Sequence, residues 1–237
     1  MIRFATKVAP EAGKIERAWS CGFRHAEIWL SKELLGRGLE EILAGIPGVP
    51  MSYALHFPNR GPLSDGELDT AQALYRALEC RAMVIHEPML LSCGSRLAER
   101  CPGMRLAVEN GRQRGERFWA WATSHRWLTL DVEHVWKYAL EDGPMAELRK
   151  VLTLLLSRYH SRVIHVHLPG YVPGAPEHRP LATNAALARL VWDLLEGYGY
   201  DEFVVSEANL EYQTETHLRR DAALFEEWRD GCALAWA

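Results

Sequence analysis

The sequence has no Cys-x-x-Cys pair: its five cysteines, Cys21, Cys80, Cys93, Cys101 and Cys232, are odd in number and scattered. Structural zinc-thiolate sites need close cysteine spacing and disulfide frameworks need an even set, so the pattern predicts reduced thiols used as small packing residues. No stretch reaches the ~18 consecutive apolar residues of a membrane span. The start, Met1-Ile2-Arg3-Phe4-Ala5, lacks the charged-then-apolar order of a signal peptide, so a soluble, cytoplasmic protein is expected. A basic excess is missing as well: 27 Lys and Arg against 31 Asp and Glu give a formal charge of −4, which leaves no global field for non-specific nucleic-acid binding. No glycine-rich phosphate loop follows the first apolar run, where Lys7-Val8-Ala9-Pro10 stands instead, and this disfavours a doubly wound dinucleotide-binding sheet. Nor does any shift in composition mark a linker, so residues 1–237 are expected to form a single domain.

Present instead are short apolar runs alternating with helical patterns, within 237 residues of 48% hydrophobic composition. Such a length suits an α/β barrel of roughly 250 residues. Strands are predicted at Ile2 to Thr6, Ala26 to Leu30, Met51 to Phe57, Ala82 to His86, two runs ending at Glu109 and Asp131, Arg162 to Leu168, and Glu202 to Glu207. Between them, Glu11 to Ser20 and Lys32 to Ile46 read as helices, the second closed by Pro47-Gly48. Ser64-Asp65-Gly66-Glu67 has the spacing of a capping box, and Pro144 opens a further helix. Thr183 to Glu196 and Glu215 to Trp228 are the last two helical segments, and Pro169 to Pro176 is too rich in Pro and Gly for regular structure. The connections from His86 to Glu109 and from Glu109 to Asp131 look short, predicting abbreviated helices there. Eight strands with eight helical connections make a single (β/α)8 TIM barrel with some shortened helices the expected fold.

In such a barrel the C-terminal strand ends converge on one mouth, so residues far apart in sequence become neighbours. Those ends carry Glu27, His56, His86, Glu109, Asp131, His167 and Glu207. A carboxylate after one apolar run is often only a helix N-cap, but its recurrence points to a site. Buried carboxylates repel one another and lose hydration, at a cost that a divalent cation offsets. Mixed carboxylate and imidazole donors without thiolates suit Mn, Co, Mg, Zn or Fe. Glu27 reads as structural, paired with an Arg or Lys inside the mouth. His25, His125, His160 and His217 read as solvated. Trp29, Phe57, Trp136 and Tyr171 are either packing or walls of a sugar pocket, and Arg60, Arg112 and Arg179 fall in mouth loops where a phosphate could be held.

Four motifs in order, Glu109-Asn110 with Gly115, Asp131-x-x-His134, His165-x-His167 with His178-Arg179-Pro180-Leu181, and Glu207, make the chain similar to the xylose isomerase-like TIM-barrel superfamily, which includes sugar isomerases, epimerases and the endonuclease IV family. The epimerase branch implies that Glu109, Asp131, His167 and Glu207 hold one divalent ion, that Glu109 and Glu207 exchange a proton on a sugar carbon through a metal-stabilised enediolate, and that His134 binds substrate oxygens. His165 would be a supporting or substrate group. The endonuclease IV branch implies additional metal sites, for which His56, His86, His134 and His178 are available. Pro176 occupies the position of the acid that this branch places two residues before the loop histidine, with Glu177 as its only replacement. Pro169-Gly170 also departs from the acid or amide frequent after the histidine strand.

The resemblance thus implies a divalent-metal isomerase or epimerase of a sugar or related polyhydroxy carbonyl compound, with a sugar or sugar phosphate as its small-molecule partner. A metal-dependent phosphodiesterase or AP endonuclease, and a lyase or dehydratase, are the alternatives. A barrel that keeps the site but serves as a subunit in a biosynthetic or degradative assembly is a non-enzymatic one. Nucleic acid and membrane are not expected partners, and assembly into a homo-oligomer stays open.

Overall fold

The apolar runs pair side by side in parallel, in sequence order, and the last closes on the first to make an eight-stranded barrel. The computed structural model describes residues 1–235. The strands are β1 (Arg3–Val8), β2 (His25–Trp29), β3 (Ser52–His56), β4 (Met83–His86), β5 (Leu106–Glu109), β6 (Trp127–Asp131), β7 (Val163–His167) and β8 (Phe203–Ser206). Around them lie α1 (Ala12–Ser20), α2 (Lys32–Leu35), α3 (Leu39–Ala44), α4 (Asp65–Ala77), α5 (Glu87–Arg100), α6 (Glu116–Ser124), α7 (Val132–His134), α8 (Met145–Tyr159), α9 (Ala185–Gly197) and α10 (Glu215–Ala235). None of these helices is long and apolar enough to cross a membrane.

Alternation along the strands divides the interior in two. Outward-facing residues such as Ile28, Leu55, Ile85, Leu130 and Val166 join the large core beneath the helices, with Ile15, Leu74 and Trp192. Inward-facing Ala5, Ala54, Phe203 and Val205 plug the lower barrel. Above this plug the inward positions turn polar: Glu27, Thr129, His165 and His167 have no solvent exposure at all. Register then places Lys7 beside Glu27, His86 beside Glu109, and Asp131 beside His167.

Several local expectations need correction. Strand one runs to Val8, past the predicted end at Thr6. The helix predicted over Lys32 to Ile46 is two short helices, because Gly38 adopts φ +92°, a backbone that favours glycine, and turns the chain between them. Apolar spacing continues across that turn and hides it. The connection after β4 holds a full 14-residue helix, α5, because the helix starts at Glu87 directly after the strand and uses Pro88 in its first turn. Only α6 of that pair is short, at 9 residues. The capping box forms as predicted, with Ser64 and Glu67 exchanging backbone contacts at the start of α4. His25 is not solvated: it starts β2, lies against Phe203 and pairs its Nδ1 with Ser52 Oγ at 2.6 Å. His125 is likewise largely covered and sits 3.4 Å from a Glu87 carboxylate oxygen.

Candidate metal-binding and active site

Glu109 stands at the centre of the mouth. Its Oε2 lies 3.3 Å from His56 Nε2, 3.4 Å from His86 Nε2 and 3.5 Å from His167 Nδ1, and its Oε1 lies 3.5 Å from His134 Nδ1. Strands β3 to β7 therefore deliver one side chain each to this carboxylate, or to a residue touching it. Burial opposes charge on Glu109, but His167, His56 and His86 outweigh that and hold its carboxyl far below the ordinary range.

Asp131 ends β6 and caps α7. Its Oδ1 accepts the His134 backbone N–H at 2.9 Å, which leaves Oδ2 3.2 Å from His134 Nδ1. The Asn110 side chain locks this strand end, accepting from Asp131 N at 2.7 Å and donating to Asp131 O at 2.9 Å. The same Asn110 offers its carbonyl to His134 Nδ1–H at 2.9 Å. Burial raises the Asp131 carboxyl above its ordinary value, with His134 as the main opposing charge.

His167 faces two ways. Its Nε2 meets Glu27 Oε2 at 2.8 Å, and its Nδ1 lies 2.9 Å from Glu207 Oε2. Glu27 Oε2 also takes His165 Nε2 at 2.6 Å. A carboxylate behind an imidazole fixes the ring orientation and its tautomer, presenting the other nitrogen to the site. Burial disfavours a charged His167, yet Glu207, Glu27 and Glu109 together raise it well above the usual imidazole range. The cationic partner expected for Glu27 is Lys7, whose Nζ lies 3.3 Å from Glu27 Oε1 and 2.5 Å from Glu207 Oε1. Lys7 escaped the sequence reading because strand one ends two residues later than its apolar run; the extra rungs turn a loop lysine into a mouth residue. Burial works against its charge, but Glu207 and Glu27 keep the ammonium protonated.

The four residues Glu109, Asp131, His167 and Glu207 share a property that bears on a metal. Each has one buried atom without a well-formed hydrogen bond, Glu109 Oε2, Asp131 Oδ2, His167 Nδ1 and Glu207 Oε2, the last two facing each other at 2.9 Å, and Glu27 Oε1 and Glu133 Oε1 nearby share the property. Buried polar atoms are rarely left unpaired, because doing so costs ~1–3 kcal/mol each. Carboxylate oxygens and imidazole nitrogens are donors that suit a hard or borderline divalent ion, and here they fall into two neighbouring groups, His167 and Glu207 with Glu27 and His56, and Glu109 and Asp131 with His134. Further donor groups adjoin them, His56 with His86 and Glu109, and His134 with Glu177 and His178.

The mouth opens into a cavity of about 510 Å³, lined by Lys7, His56, His86, Glu109, His134, Arg112, His178 and Glu207 among others. His165 lies deeper, tied to Glu27, and does not reach this cavity. Arg179 also stands apart from the lining and, among the described residues, from any ion pair, its Nε unpartnered. The segment from Pro169 to Pro180 is irregular, as expected, but closely held. Gly170 N donates to Arg179 O at 2.9 Å, and a Cβ at Gly170 would fall 1.8 Å from the Pro180 carbonyl oxygen. His178 adopts φ +56°, a left-handed backbone uncommon outside glycine. Its N–H donates to Glu133 Oε2 at 3.0 Å and its carbonyl accepts from Asn209 N at 2.8 Å. Glu133, missed in the sequence, has no solvent exposure, and burial with the nearby Asp131 charge pushes its carboxyl up to about 8. Glu177 occupies the lip instead, paired with Lys137 at 2.8 Å and hydrogen-bonded by Tyr138. Phe57, Trp136 and Tyr171 are buried packing residues.

No family model matches the sequence, and no curated protein matches it. Among solved structures the fold is similar to a D-tagatose 3-epimerase-like protein, with TM-score 0.66 and 16% identity over 99% of this chain and 100% of that one. It is also similar to an uncharacterized protein from Parabacteroides distasonis, with TM-score 0.57 and 12% identity over 95% and 98% of the two chains. A xylose isomerase domain protein from Planctomyces limnophilus gives TM-score 0.55 and 12% identity over 97% and 96%.

Proposed function

Because the chain has the xylose isomerase-like TIM-barrel fold, we propose that it is a divalent-metal-dependent isomerase or epimerase acting on a sugar or related polyhydroxy carbonyl compound. The observation that carries this reading is the set of four unpartnered buried atoms on Glu109, Asp131, His167 and Glu207. In it those four residues hold one cation, from the group Mn, Co, Mg, Zn or Fe. When bound, such an ion polarises a carbonyl oxygen and lowers the cost of removing a proton from the neighbouring carbon. The remaining work belongs to the chain. Glu109 and Glu207, from strands five and eight, take and return the carbon-bound proton. Lys7 holds Glu207 by Oε1 and leaves Oε2 toward His167, so the carboxylate is oriented before substrate arrives. His134, its Nδ1–H given to the Asn110 carbonyl, keeps Nε2 for a substrate oxygen.

The test is proton exchange. A panel of ketoses and ketose phosphates incubated in deuterated water should gain deuterium at the carbon beside the carbonyl, dependent on added metal and on both glutamates. No exchange across the panel would overturn the reading.

One observation favours a second reading, a metal-dependent phosphodiesterase of the endonuclease IV type: the donor groups around His86 and His178 could hold further ions. Elemental analysis separates the two, since one ion per chain supports the isomerase and two or three support the hydrolase, which should then cleave an abasic-site duplex. A lyase on the same scaffold would exchange deuterium and also release a leaving group.

A further inference from the structure

Beyond the mouth cavity the same face carries a second cavity of about 250 Å³, and the two share Lys7, Asn59, His178 and Glu207 as their common wall. A third, of about 400 Å³, adjoins the second across Trp29 and Asn59. Trp29 thus stands as a post in a continuous groove leading away from Glu207. It is the only exposed tryptophan among the described residues, at 40% exposure. Strand alternation explains its place: Glu27 points into the barrel, Ile28 into the helix layer, and Trp29 one rung above Glu27 at the rim. Leu210, 62% exposed on the loop after β8, lines the second cavity with it. Amides stand beside them, together with Lys7 and Glu207 in the second cavity and Lys32, Glu33 and Arg60 in the third. Asn59 lines all three cavities, Asn209 lines the second, and Gln213 lines it with a buried Oε1 that has no partner, while its Nε2 donates to Ala208 O at 3.1 Å.

We propose that this groove is a second sugar subsite, so that the substrate is a glycosylated ketose or aldose: the reacting sugar at Glu109 and Glu207, and a second pyranose ring packed by its C–H face on Trp29. This deepens the isomerase reading and rests on it. An indole face with an aliphatic wall recovers the apolar face of a sugar ring, and carboxamides satisfy its hydroxyls as donor and acceptor at once. A flat heteroaromatic base could use the same indole and the same amides, and adenosine is the probe that separates the two. A free hexose would fill the first cavity and leave Trp29 in water. Trp29 supports no part of the core, which is consistent with a binding role.

Calorimetric titration of the manganese-loaded protein tests this, with a free ketose, the corresponding glucosyl-ketose disaccharide and adenosine as probes. The disaccharide should bind about tenfold more tightly than the free ketose. Trp29→Ala should erase that preference while the free ketose keeps its affinity, Trp29→Phe should keep part of it, and Asn59→Ala should reduce it. Equal binding of the two sugars, equal loss of both in Trp29→Ala, a preference for adenosine, or no saccharide binding would each overturn the subsite. Deuterium exchange on the same sugars keeps the two ideas apart. Exchange without disaccharide preference sinks only the subsite, and preference without exchange sinks only the isomerase.

Discussion

The two ends of the barrel treat charge in opposite ways. At the lower end, Glu202 receives Arg81 at one oxygen and Arg105 at the other, both at 2.8 Å, Arg3 donates to the Asp201 carbonyl at 3.0 Å, and Tyr200 donates to the Phe203 carbonyl at 2.8 Å. These charged groups are partly exposed and their partners belong to the chain. At the mouth, charged groups are buried more deeply and several atoms are left unpaired. The unpaired buried atoms gather at the mouth, the end where a barrel of this kind takes a ligand, while the lower end, Tyr53 Oη and His125 Nε2 apart, pairs its polar groups within the chain.

The sharpest break in that contrast comes from the mouth carboxylates. On the proposed mechanism, Glu109→Gln and Glu207→Gln should each lower turnover by more than ~10²-fold, since each would remove both a proton carrier and a metal charge. Thermal stability should fall as well, because the amide withdraws the charge that His167, His56 and His86 meet at Glu109 and that Lys7 and His167 meet at Glu207. Turnover that survives either substitution in the folded variant would remove that glutamate from the chemistry. Next in size, Asp131→Asn should lose bound metal in elemental analysis with its circular dichroism unchanged, because an amide is a far weaker ligand for a hard cation. An unfolded variant at ambient temperature would make Asp131 structural instead.

The lower end should respond the other way. Glu202→Ala leaves Arg81 and Arg105 without their shared acid, and should cost about 1 kcal/mol of stability at these partly exposed positions, read by denaturant unfolding, with metal content unaltered. The smallest effect sharpens the comparison by pH. Burial, with Arg3 and Arg81 nearby, lowers His25 to about 4 from an ordinary value near 6.5. The folded state therefore binds fewer protons than the unfolded one in that window. The His25 contribution is complete above about pH 6.5 and is lost as pH falls toward about 4. His25→Gln should flatten the difference in melting temperature between pH 7 and pH 4.5; an unchanged slope would remove His25 from the account.

Much of this was legible because a barrel makes strand ends conspicuous. Each buried parallel strand is an apolar run that stops at a mouth residue, so Glu109, Asp131, His167 and Glu207 announce themselves by interrupting it. Lys7 did not, since an inward lysine at a strand end looks like the first residue of a loop. Glu133 was obscure for another reason: its place depends on how the irregular segment after β7 folds back over the mouth, and a hydrogen bond such as that from His178 N to Glu133 carries no signature in residue type. The break at Gly38 and the immediate start of α5 at Glu87 are local backbone choices that apolar periodicity cannot report.

The tight meeting of Gly170 with the Pro180 carbonyl makes the stretch between them a removable cassette. Its two ends meet through the bond from Gly170 N to Arg179 O, the inside adds contacts from Gly174 N to Asp142 and from Glu177 to Lys137, and the close approach leaves no room for a side chain at Gly170. Residues 172–177 could be exchanged for sequences of other length or charge to retune the lip of the mouth while His178 stays in register, provided Gly170 and Pro180 are untouched. A single methyl group at Gly170 would do what no change inside the cassette does, springing the hinge and carrying His178 away from the site.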